Sequence, residues 1–377
     1  MLAPGTFLEL LQQQGIRFFS GVPDSLLKPF LSCVGEQLDS TAHVIAANEG
    51  AAIALAAGHH LATGEVALVY MQNSGLGNAV NPLLSLTDAS VYAIPLLLLI
   101  GWRGEPGLED EPQHLTQGRV TPALLEALEI PYRVLSGGDP HAAQHALEAI
   151  AEARQRSAPS ALLVRRDTFG DYAPQAVRDN HPGTGELTRE AALERVLAHT
   201  DGNEILVATT GMAARELFEL RTRRAEDHAR DFLTVGSMGH AGQIALGIAR
   251  ARPHRQVVCL DGDGALLMHL GSLVINAASA CRNYKHILLN NGSHDSVGGQ
   301  PTAGFDVDFP ALAQAAGYRW TAVAAHATDI EQCLQELLAS HGPALLEIRL
   351  TRGHREDLGR PTVSPLENKR ALMRLLQ

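Results

Sequence analysis

Short apolar runs recur along the chain, with room for one helix between most neighbouring runs. They lie at 17–21, 43–47, 66–71, 95–100, 132–135 and 161–165 in the first half, and at 204–210, 231–235, 256–264, 286–291, 318–323 and 344–350 in the second. Most of them are apolar throughout, which is typical of strands covered on both faces. Ala-rich stretches such as 49–62 lie between them and favour helices. The pattern predicts an α/β protein with two doubly wound parallel sheets.

One polar segment interrupts this alternation near the middle of the 377 residues. It contains prolines and glycines and has no sustained hydrophobic period, which is typical of a linker between domains. We therefore expect a first domain at 1–170, a linker at 171–189 and a second domain at 190–377.

Charge and cysteine content narrow the class of partner and the compartment. The chain has 30 basic and 41 acidic residues, a formal charge of −11, which argues against non-specific nucleic-acid binding. A pocket can still be locally positive, so a small anionic substrate remains compatible with this charge. The cysteines form no CxxC pair, which indicates neither a zinc site nor a disulfide framework and fits a reduced cytoplasm; they are Cys33, Cys259, Cys281 and Cys333.

No segment of the sequence has the pattern of a membrane span or a secretion signal. The N-terminal residues lack the basic start and long apolar stretch of a signal peptide. The longest apolar run, Ala93 to Ile100, is interrupted by Pro95 and is too short to cross a bilayer. We expect it to be a buried strand, and we expect no membrane partner.

Two polar motifs follow neighbouring apolar runs in the second half. Gly262-Asp263-Gly264 ends one run and Asn290-Asn291 ends the next, so Asp263 and Asn291 are 28 positions apart (291 − 263). This is about one strand–helix–strand unit, which predicts both side chains at the carboxyl ends of parallel strands, where such folds bind ligands. One carboxylate and one amide oxygen suit Mg²⁺ when a diphosphate adds oxygens. The glycines, and a helix starting near Ala265, would favour a phosphate. The tripeptide alone is also typical of an ordinary turn.

Two further features point to a bound heterocycle, and each also has a structural explanation. Glu49 ends an apolar run and opens an Ala/Gly-rich helix, where an apolar setting would raise its pKa and let it share a proton with a ring nitrogen. A helix N-terminus favours a glutamate in any case. The segment from Gly236 to Ala241 follows another apolar run and holds Met238 in a glycine-rich turn. The side chain of Met238 could support a bound cofactor, or it could simply pack in the core.

Together these motifs resemble the thiamine-diphosphate-dependent decarboxylases, which pair a pyrimidine-binding domain with a diphosphate-binding domain. The resemblance implies thiamine diphosphate and Mg²⁺ as cofactors, without the middle domain of larger members. It implies that Glu49 hydrogen-bonds the aminopyrimidine ring and that Asp263, Asn291 and the carbonyl of Ser293 bind the metal. It further implies that these residues contact the cofactor: Gly236, Met238, Gly264, Ala265 and Asn291.

Longer segments resemble one group within that family, the phosphonopyruvate decarboxylases, with sulfopyruvate decarboxylases as near relatives. The most specific segments are GWRGEPGLEDEPQH at 101–114 and HDSVGGQPT at 294–302. The sequence departs from the family pattern at Met212, Asn290 and Val297. The resemblance implies that Asp24 and His294 assist catalysis and that the anionic substrate is held by Ser25, Lys28, Arg103 and His114.

The implied reaction is the non-oxidative decarboxylation of 3-phosphonopyruvate to phosphonoacetaldehyde and carbon dioxide, a step in phosphonate biosynthesis. The cofactor ylid adds to the 2-oxo acid, and loss of carbon dioxide gives an enamine that is then protonated. The resemblance also implies at least a homodimer, with sites at the subunit interface. Each candidate residue also has a structural explanation: Asp24 and Ser25 suit a helix N-cap, and Arg103 could pair with Glu105 or Asp110.

Four alternatives are open at this stage. A sulfopyruvate decarboxylase would run the same chemistry on a head group of lower charge, and a carboligase would use the same enamine on a second carbonyl. A non-catalytic protein on the same fold would not need Glu49, Asp263 and Asn291 together. A nicotinamide-dependent oxidoreductase is disfavoured, because SGLGNA at 74–79 lacks the third glycine of the dinucleotide motif.

Overall fold

The computed structural model describes residues 1–173 and 185–377 and divides the chain into two compact units, Met1–Arg178 and Asp179–Gln377. Residues 174–184, most of the predicted linker at 171–189, lie outside the described residues. The domain bounds expected at 170 and 190 therefore stay predictions.

The first unit is built on a six-stranded parallel sheet in the order β2-β1-β3-β4-β6-β5. Its strands are β1 (Phe19–Gly21), β2 (His43–Ile45), β3 (Ala67–Gln72), β4 (Leu96–Gly101), β5 (Tyr132–Leu135) and β6 (Ser160–Val164). Its helices are α1 (Pro4–Gln13), α2 (Lys28–Gln37), α3 (Glu49–Thr63), α4 (Leu76–Pro82), α5 (Pro112–Ala127) and α6 (Ala142–Arg156).

The second unit has a six-stranded parallel sheet in the order β13-β14-β10-β9-β7-β8, and a two-residue antiparallel hairpin of β11 and β12. Its strands are β7 (Ile205–Ala208), β8 (Asp231–Leu233), β9 (Val257–Gly262), β10 (Tyr284–Asn290), β11 (Ser293–His294), β12 (Gln300–Pro301), β13 (Trp320–Ala324) and β14 (Ala344–Arg349). Its helices are α7 (Arg189–His199), α8 (Met212–Arg223), α9 (Ala241–Ala251), α10 (Asp263–Met268), α11 (Ser272–Ala278), α12 (Phe309–Ala316), α13 (Ile330–Ala339) and α14 (Pro365–Leu376).

The two sheets share one topology. Renumbered within its own unit, the second sheet has the same strand order as the first, read from the opposite edge. In both, the order reverses between the first and third strands, β1 and β3 in one unit and β7 and β9 in the other. Ligands of doubly wound folds bind beyond the carboxyl ends of the strands at such a reversal. The predicted pair of doubly wound parallel sheets is thus confirmed.

Strand β4 explains why the apolar runs are continuous. Leu97 and Leu99 pack into the core under α1, α2 and α6, whereas Leu96, Leu98 and Ile100 pack into the core under α3, α4 and α5. Both faces of the strand are buried, so each position needs an apolar side chain. No helix among the described residues has the length and apolarity that a membrane crossing requires.

A tyrosine crosses the sheet of the first unit above a glycine. Tyr70 on β3 is paired with Gly21 on β1, and its buried hydroxyl meets Nε2 of His43 on β2 at 2.8 Å. A Cβ atom on Gly21 would lie 2.0 Å from the carbonyl oxygen of Tyr70 and 2.5 Å from its ring. Only glycine therefore fits at the end of β1, directly before the segment that carries Asp24.

We predict that Gly21→Ala lowers the free energy of unfolding by about 3 kcal/mol, because the added methyl group overpacks a site bounded by backbone. Urea denaturation followed by circular dichroism measures the change. The matched control is Gly58→Ala in α3, where a Cβ atom meets nothing within 4 Å. It should be neutral or stabilising by about 0.5–1 kcal/mol, as expected for alanine in a helix. Equal effects of the two substitutions would contradict the packing argument.

Candidate active site

Polar side chains collect beyond the carboxyl ends of the strands in each unit. In the first unit six of them form a group that we term the Arg103 cluster: Asp24, Ser25, Gln72, Arg103, Asp110 and His114. They follow strands β1, β3 and β4 or lie at the start of α5. Because the strands are parallel, their carboxyl ends lie at the same edge of the sheet. Residues that are far apart in the sequence therefore come together there.

Asp24 is fully buried directly after β1. Its Oδ2 accepts a hydrogen bond from Nε2 of Gln72 at 2.8 Å, and its Oδ1 accepts one from the backbone N–H of Leu26 at 3.0 Å. Burial raises the pKa of this carboxyl, although these hydrogen bonds and the charge of Arg103 act in the opposite direction. Gly101 permits the approach of β4, since a Cβ atom there would lie 2.0 Å from Oδ1 of Asp24.

Arg103 lies at the centre of the cluster. Its Nε donates to Oδ2 of Asp110 at 2.9 Å, its Nη2 donates to Oδ1 of the same carboxylate, and its Nη1 donates to Oγ of Ser25 at 2.8 Å. The paired geometry with Asp110 is the strong two-point form of an arginine–carboxylate bond. Of the two partners proposed from sequence, Asp110 is observed, whereas Glu105 pairs with Arg165.

Asp110 also binds His114. The ring Nδ1 of His114 lies 3.0 Å from Oδ1 of Asp110, which is four positions earlier and precedes α5. Burial opposes ionisation of Asp110, but hydrogen bonds from Arg103, His114 and the backbone of Gly104 outweigh it and hold its pKa well below the usual range. Burial lowers the pKa of His114, which favours the neutral ring at neutral pH.

Close backbone contacts hold the loop that carries Arg103 and Asp110. A Cβ atom on Gly104 would lie 1.9 Å from the carbonyl oxygen of His114, and one on Gly118 would lie 1.7 Å from that of Gly104. The indole Nε1 of Trp102 donates to the carbonyl of Gly118 at 2.8 Å. The loop is thus packed against α5 and presents Arg103 in a fixed place.

Lys28 does not join the Arg103 cluster. It is the first residue of α2 and its side chain is exposed. Within the described ranges, no hydrogen bond or ion pair joins it to Asp24 or Arg103. Its assignment to the substrate stays a prediction.

Glu49 is the first residue of α3, and the side chain of Asn48 caps this helix by accepting the backbone N–H of Ala51. Its carboxyl is buried and its Oε2 accepts a hydrogen bond from Nδ2 of Asn78 at 2.8 Å. Burial raises the pKa of this carboxyl, and the hydrogen bond from Asn78 only partly offsets that effect. Gly75 packs directly on it, since a Cβ atom there would lie 2.4 Å from Oε1. The group therefore holds a proton more readily than an exposed glutamate does.

In the second unit Asp263 is buried at the start of α10, directly after β9. Burial raises its pKa to about 6, although the hydroxyl of Thr302 and the backbone N–H of Asn291 donate hydrogen bonds to it. Gly304 also lies against this carboxylate, and a Cβ atom there would be 2.5 Å from Oδ2. A carboxylate so placed gains from any cation that binds beside it.

Asn291 follows β10 and is fixed by Asp295. Its Nδ2 donates to Oδ2 of Asp295 at 2.6 Å, so its Oδ1 faces the loop, where it accepts the backbone N–H of Ser293. Asp295 also pairs with the buried Arg189 of α7 at 3.2 Å. The buried Oγ of Ser293 makes no hydrogen bond within the described residues.

His294 and Thr302 enclose the glycine that follows Asp263. A Cβ atom on Gly264 would lie 2.6 Å from the His294 ring and 3.3 Å from the methyl group of Thr302. Burial lowers the pKa of His294 to about 4, so its ring is neutral. Met238, Asp263, Gly264, Ala265, Asn291 and His294 line a single cleft, with Met212 among its other lining residues.

The loop before α9 has an unusual backbone. Gly236, Ser237 and Gly239 all have positive φ angles, of 67°, 47° and 83°, on both sides of Met238. A positive φ disfavours most side chains, so the glycines suit this turn. The N–H of Gly236 donates to Oγ1 of Thr210 at 3.1 Å. The turn directs Met238 into the cleft that holds Asp263.

The residues of this cleft fit a divalent cation bound to a diphosphate. A carboxylate, an amide oxygen and a buried, unpaired hydroxyl converge there from Asp263, Asn291 and Ser293. Oxygen ligands of this kind suit Mg²⁺, which usually binds proteins through one or two side chains and substrate phosphates. The close approach of neighbouring groups to Gly264 leaves backbone there, rather than a side chain, to meet a ligand.

Several residues of these groups were missed by sequence reasoning. Gln72, Asp295 and Thr302 each bond a predicted site residue but received no role, and Asp110 was considered only as a partner of Arg103 and not of His114. Asp110 precedes His114 by four positions, a spacing that can bring side chains together near the start of a helix, and this signal could have indicated their contact. Thr302 has no such signal, because the hairpin of β11 and β12 returns it to Asp263 over 39 positions.

Two family matches cover most of the chain. Residues 5–124 match the family described as "Thiamine pyrophosphate enzyme, N-terminal TPP binding domain". Residues 209–348 match "Thiamine pyrophosphate enzyme, C-terminal TPP binding domain". One match falls in each of the two structural units.

Curated proteins similar to this chain include three that match over most of its length. A phosphonopyruvate decarboxylase of Streptomyces viridochromogenes is 38% identical over 94% of this chain and 89% of its own. One of Streptomyces hygroscopicus is 38% identical over 97% of this chain and 92% of its own. A sulfopyruvate decarboxylase of Methanosarcina acetivorans is 27% identical over 92% of this chain and 91% of its own.

The burial of His294 leads to a prediction about its titration. Its folded-state pKa of about 4 lies below that of a free histidine, so it should stay neutral from pH 5.5 to 8. The exposed His326, whose pKa is raised by the hydrogen bond that its ring donates to the carboxylate of Glu186, should titrate at a higher pH than His294. Proton NMR of the ligand-free protein measures both, with His294→Gln and His326→Gln to assign the signals. Titration of His294 near pH 6.5 would contradict its burial.

Proposed function

The chain belongs to the thiamine pyrophosphate enzymes, and we propose that it decarboxylates 3-phosphonopyruvate to phosphonoacetaldehyde and carbon dioxide without oxidation. The observation that carries this proposal is the near-full-length similarity to two phosphonopyruvate decarboxylases. The Arg103 cluster supports it, since its guanidinium retains N–H groups that can donate hydrogen bonds to the anionic groups of a 2-oxo acid.

Thiamine diphosphate supplies the electron sink that accepts the bonding pair when carbon dioxide leaves. This chain's part is to bind, orient and protonate. We propose that the buried carboxyl of Glu49, whose pKa is raised by burial, shares its proton with a ring nitrogen of the aminopyrimidine. Asn78 holds this carboxyl in place, and Gly75 closes the space beside it.

We propose Mg²⁺ as the ion that links the protein to the diphosphate. Asp263 and Asn291 would supply side-chain oxygens and Ser293 a backbone carbonyl. Asp295 orients Asn291, and Thr302 orients Asp263. The backbone at Gly264 and Ala265 would meet the phosphate, while Met238 and the backbone of Gly236 would support the rings.

The net reaction breaks the bond between the carboxylate carbon and the keto carbon and puts one proton on the latter. We propose that Arg103, Ser25 and His114 hold the anionic groups of the substrate and that Lys28 adds charge from α2. Asp24 can supply or relay the proton because burial raises its pKa. His294, a neutral ring beside Gly264, can take part in the same transfer on the cofactor side.

The second candidate function is sulfopyruvate decarboxylation. One observation favours it: a sulfopyruvate decarboxylase is similar over 92% of this chain. That relative is less similar to this chain, at 27% identity against 38%, so sulfopyruvate is a less favoured substrate than phosphonopyruvate.

The oligomeric state and the cellular location also belong to this proposal. We expect it to be at least a homodimer, because its family is expected to place active sites at the subunit interface. A cytoplasmic location likewise stays a prediction.

We predict rapid release of aldehyde and carbon dioxide from phosphonopyruvate when thiamine diphosphate and Mg²⁺ are present. Sulfopyruvate and pyruvate are compared in parallel. Glu49→Gln should lower kcat by at least about 100-fold, the usual scale for losing a positioned acid–base group. The control is Glu9→Gln on the exposed face of α1, which should not change kcat.

Three results would contradict the proposal or one part of it. Preference for sulfopyruvate would support the decarboxylation chemistry and contradict the assignment of a phosphonate head group. No turnover of any of the three 2-oxo acids would overturn the decarboxylase itself. Equal activity of Glu49→Gln and the native protein would overturn the role of Glu49.

A further inference from the structure

Asp110 is saturated by donors from its own protein. Its side chain is 4% exposed, and five groups donate to it: Nε and Nη2 of Arg103, Nδ1 of His114, and the backbone N–H groups of Gly104 and Glu111. A carboxylate with five donors has no capacity left for a substrate. Its effect on a ligand must therefore act through Arg103 and His114.

The contact with Asp110 decides which nitrogen of His114 carries hydrogen. An ionised carboxylate only accepts hydrogen bonds, so Nδ1 of His114 must be the N–H nitrogen. In the neutral ring Nε2 then has a lone pair and no hydrogen. Within the described part of the chain, Nε2 makes no hydrogen bond. The free end of the ring is thus an acceptor.

Arg103 keeps part of its donor capacity. A guanidinium has five N–H groups. Two of them bind Asp110 and one binds Ser25. Counting the described residues, one N–H group therefore remains free on each of Nη1 and Nη2. The ion pair between Arg103 and Asp110 cancels the charge of the arginine. The cluster therefore offers two donors and one acceptor with no net charge from Arg103, Asp110 and the neutral His114.

We propose that Asp110 is a positioning residue that makes His114 an acceptor, and that this acceptor selects a head group carrying a P–O–H proton over a sulfonate. The inference rests on the proposed function for its substrate, but the state of His114 is a property of the chain alone. A phosphate group loses its second proton near pH 6, and a singly ionised phosphonate carries the same P–O–H group. That proton can be shared with Nε2.

A sulfonate has the same tetrahedral shape but no proton to share. Its oxygen would face the lone pair of Nε2, which leaves a buried acceptor unpaired. A site built to bond a substrate hydroxyl discriminates strongly against an analogue without one, because its polar group is left without a partner. Arg103 alone would not discriminate, since both head groups accept its hydrogen bonds.

The test compares kcat/KM for phosphonopyruvate and sulfopyruvate in four proteins: native, His114→Phe, Asp110→Asn and Glu109→Gln. The native protein should prefer the phosphonate by at least about tenfold. His114→Phe removes the acceptor and should bring the ratio toward one. Asp110→Asn presents an amide that can donate to Nδ1, which moves the ring hydrogen to Nε2 and should shift the ratio toward the sulfonate. The exposed neighbour Glu109→Gln should keep the native ratio.

Nitrogen-15 NMR of the ligand-free proteins shows which ring nitrogen of His114 carries the hydrogen, and it needs no substrate. His114 of the native protein should have its hydrogen on Nδ1, and Asp110→Asn should move it to Nε2, with His114→Phe to assign the signal. A native His114 with its hydrogen on Nε2 overturns the inference even if the decarboxylase is active. A ratio unchanged in both His114→Phe and Asp110→Asn overturns the selection step. If neither substrate is turned over, the proposed function fails. The NMR result alone then decides whether Asp110 fixes the ring hydrogen of His114 on Nδ1.

Discussion

A carboxyl group removed from water must find hydrogen-bond donors, a cation or a proton, and this constraint organises both candidate sites. Asp110 meets it with five donors and stays ionised. Glu49 accepts hydrogen bonds from the amide of Asn78 and from its own backbone, but burial outweighs them and its pKa rises. Asp263 has a hydroxyl and a backbone N–H, which leaves it open to a metal ion. The same side-chain chemistry thus gives an anchor at Asp110, the proposed proton-holding group at Glu49 and the proposed metal ligand at Asp263.

The fold supplies these surroundings by close contact. Apolar side chains cover both faces of strand β4, and the polar groups of the candidate sites lie at or beyond the carboxyl ends of the strands. Glycines at Gly21, Gly75, Gly101 and Gly264 let neighbouring groups approach where a Cβ atom would clash. The site residues are therefore fixed by the same packing that stabilises the sheets.

Much of this architecture could be predicted from the sequence. Each apolar run became a strand, and the motifs around Glu49, Asp263 and Asn291 followed from their positions after those runs. What escaped prediction depends on how loops return: Thr302 reaches Asp263 through a hairpin of two-residue strands, and Gln72 reaches Asp24 across 48 positions. The exposed Lys28 lies outside the cluster because it opens α2, which a short motif cannot reveal.

The surroundings of Glu49 favour its protonated form. A raised folded-state pKa contributes stability below the unfolded value of about 4.3, and that contribution is lost as pH rises through the folded value. Urea denaturation of the native protein and Glu49→Gln from pH 4 to 8 measures it directly, since other groups cancel in the difference. We predict that Glu49→Gln gains stability over the native protein as pH rises, by about 1.4 kcal/mol for each unit of pKa shift. A difference that is independent of pH would contradict it.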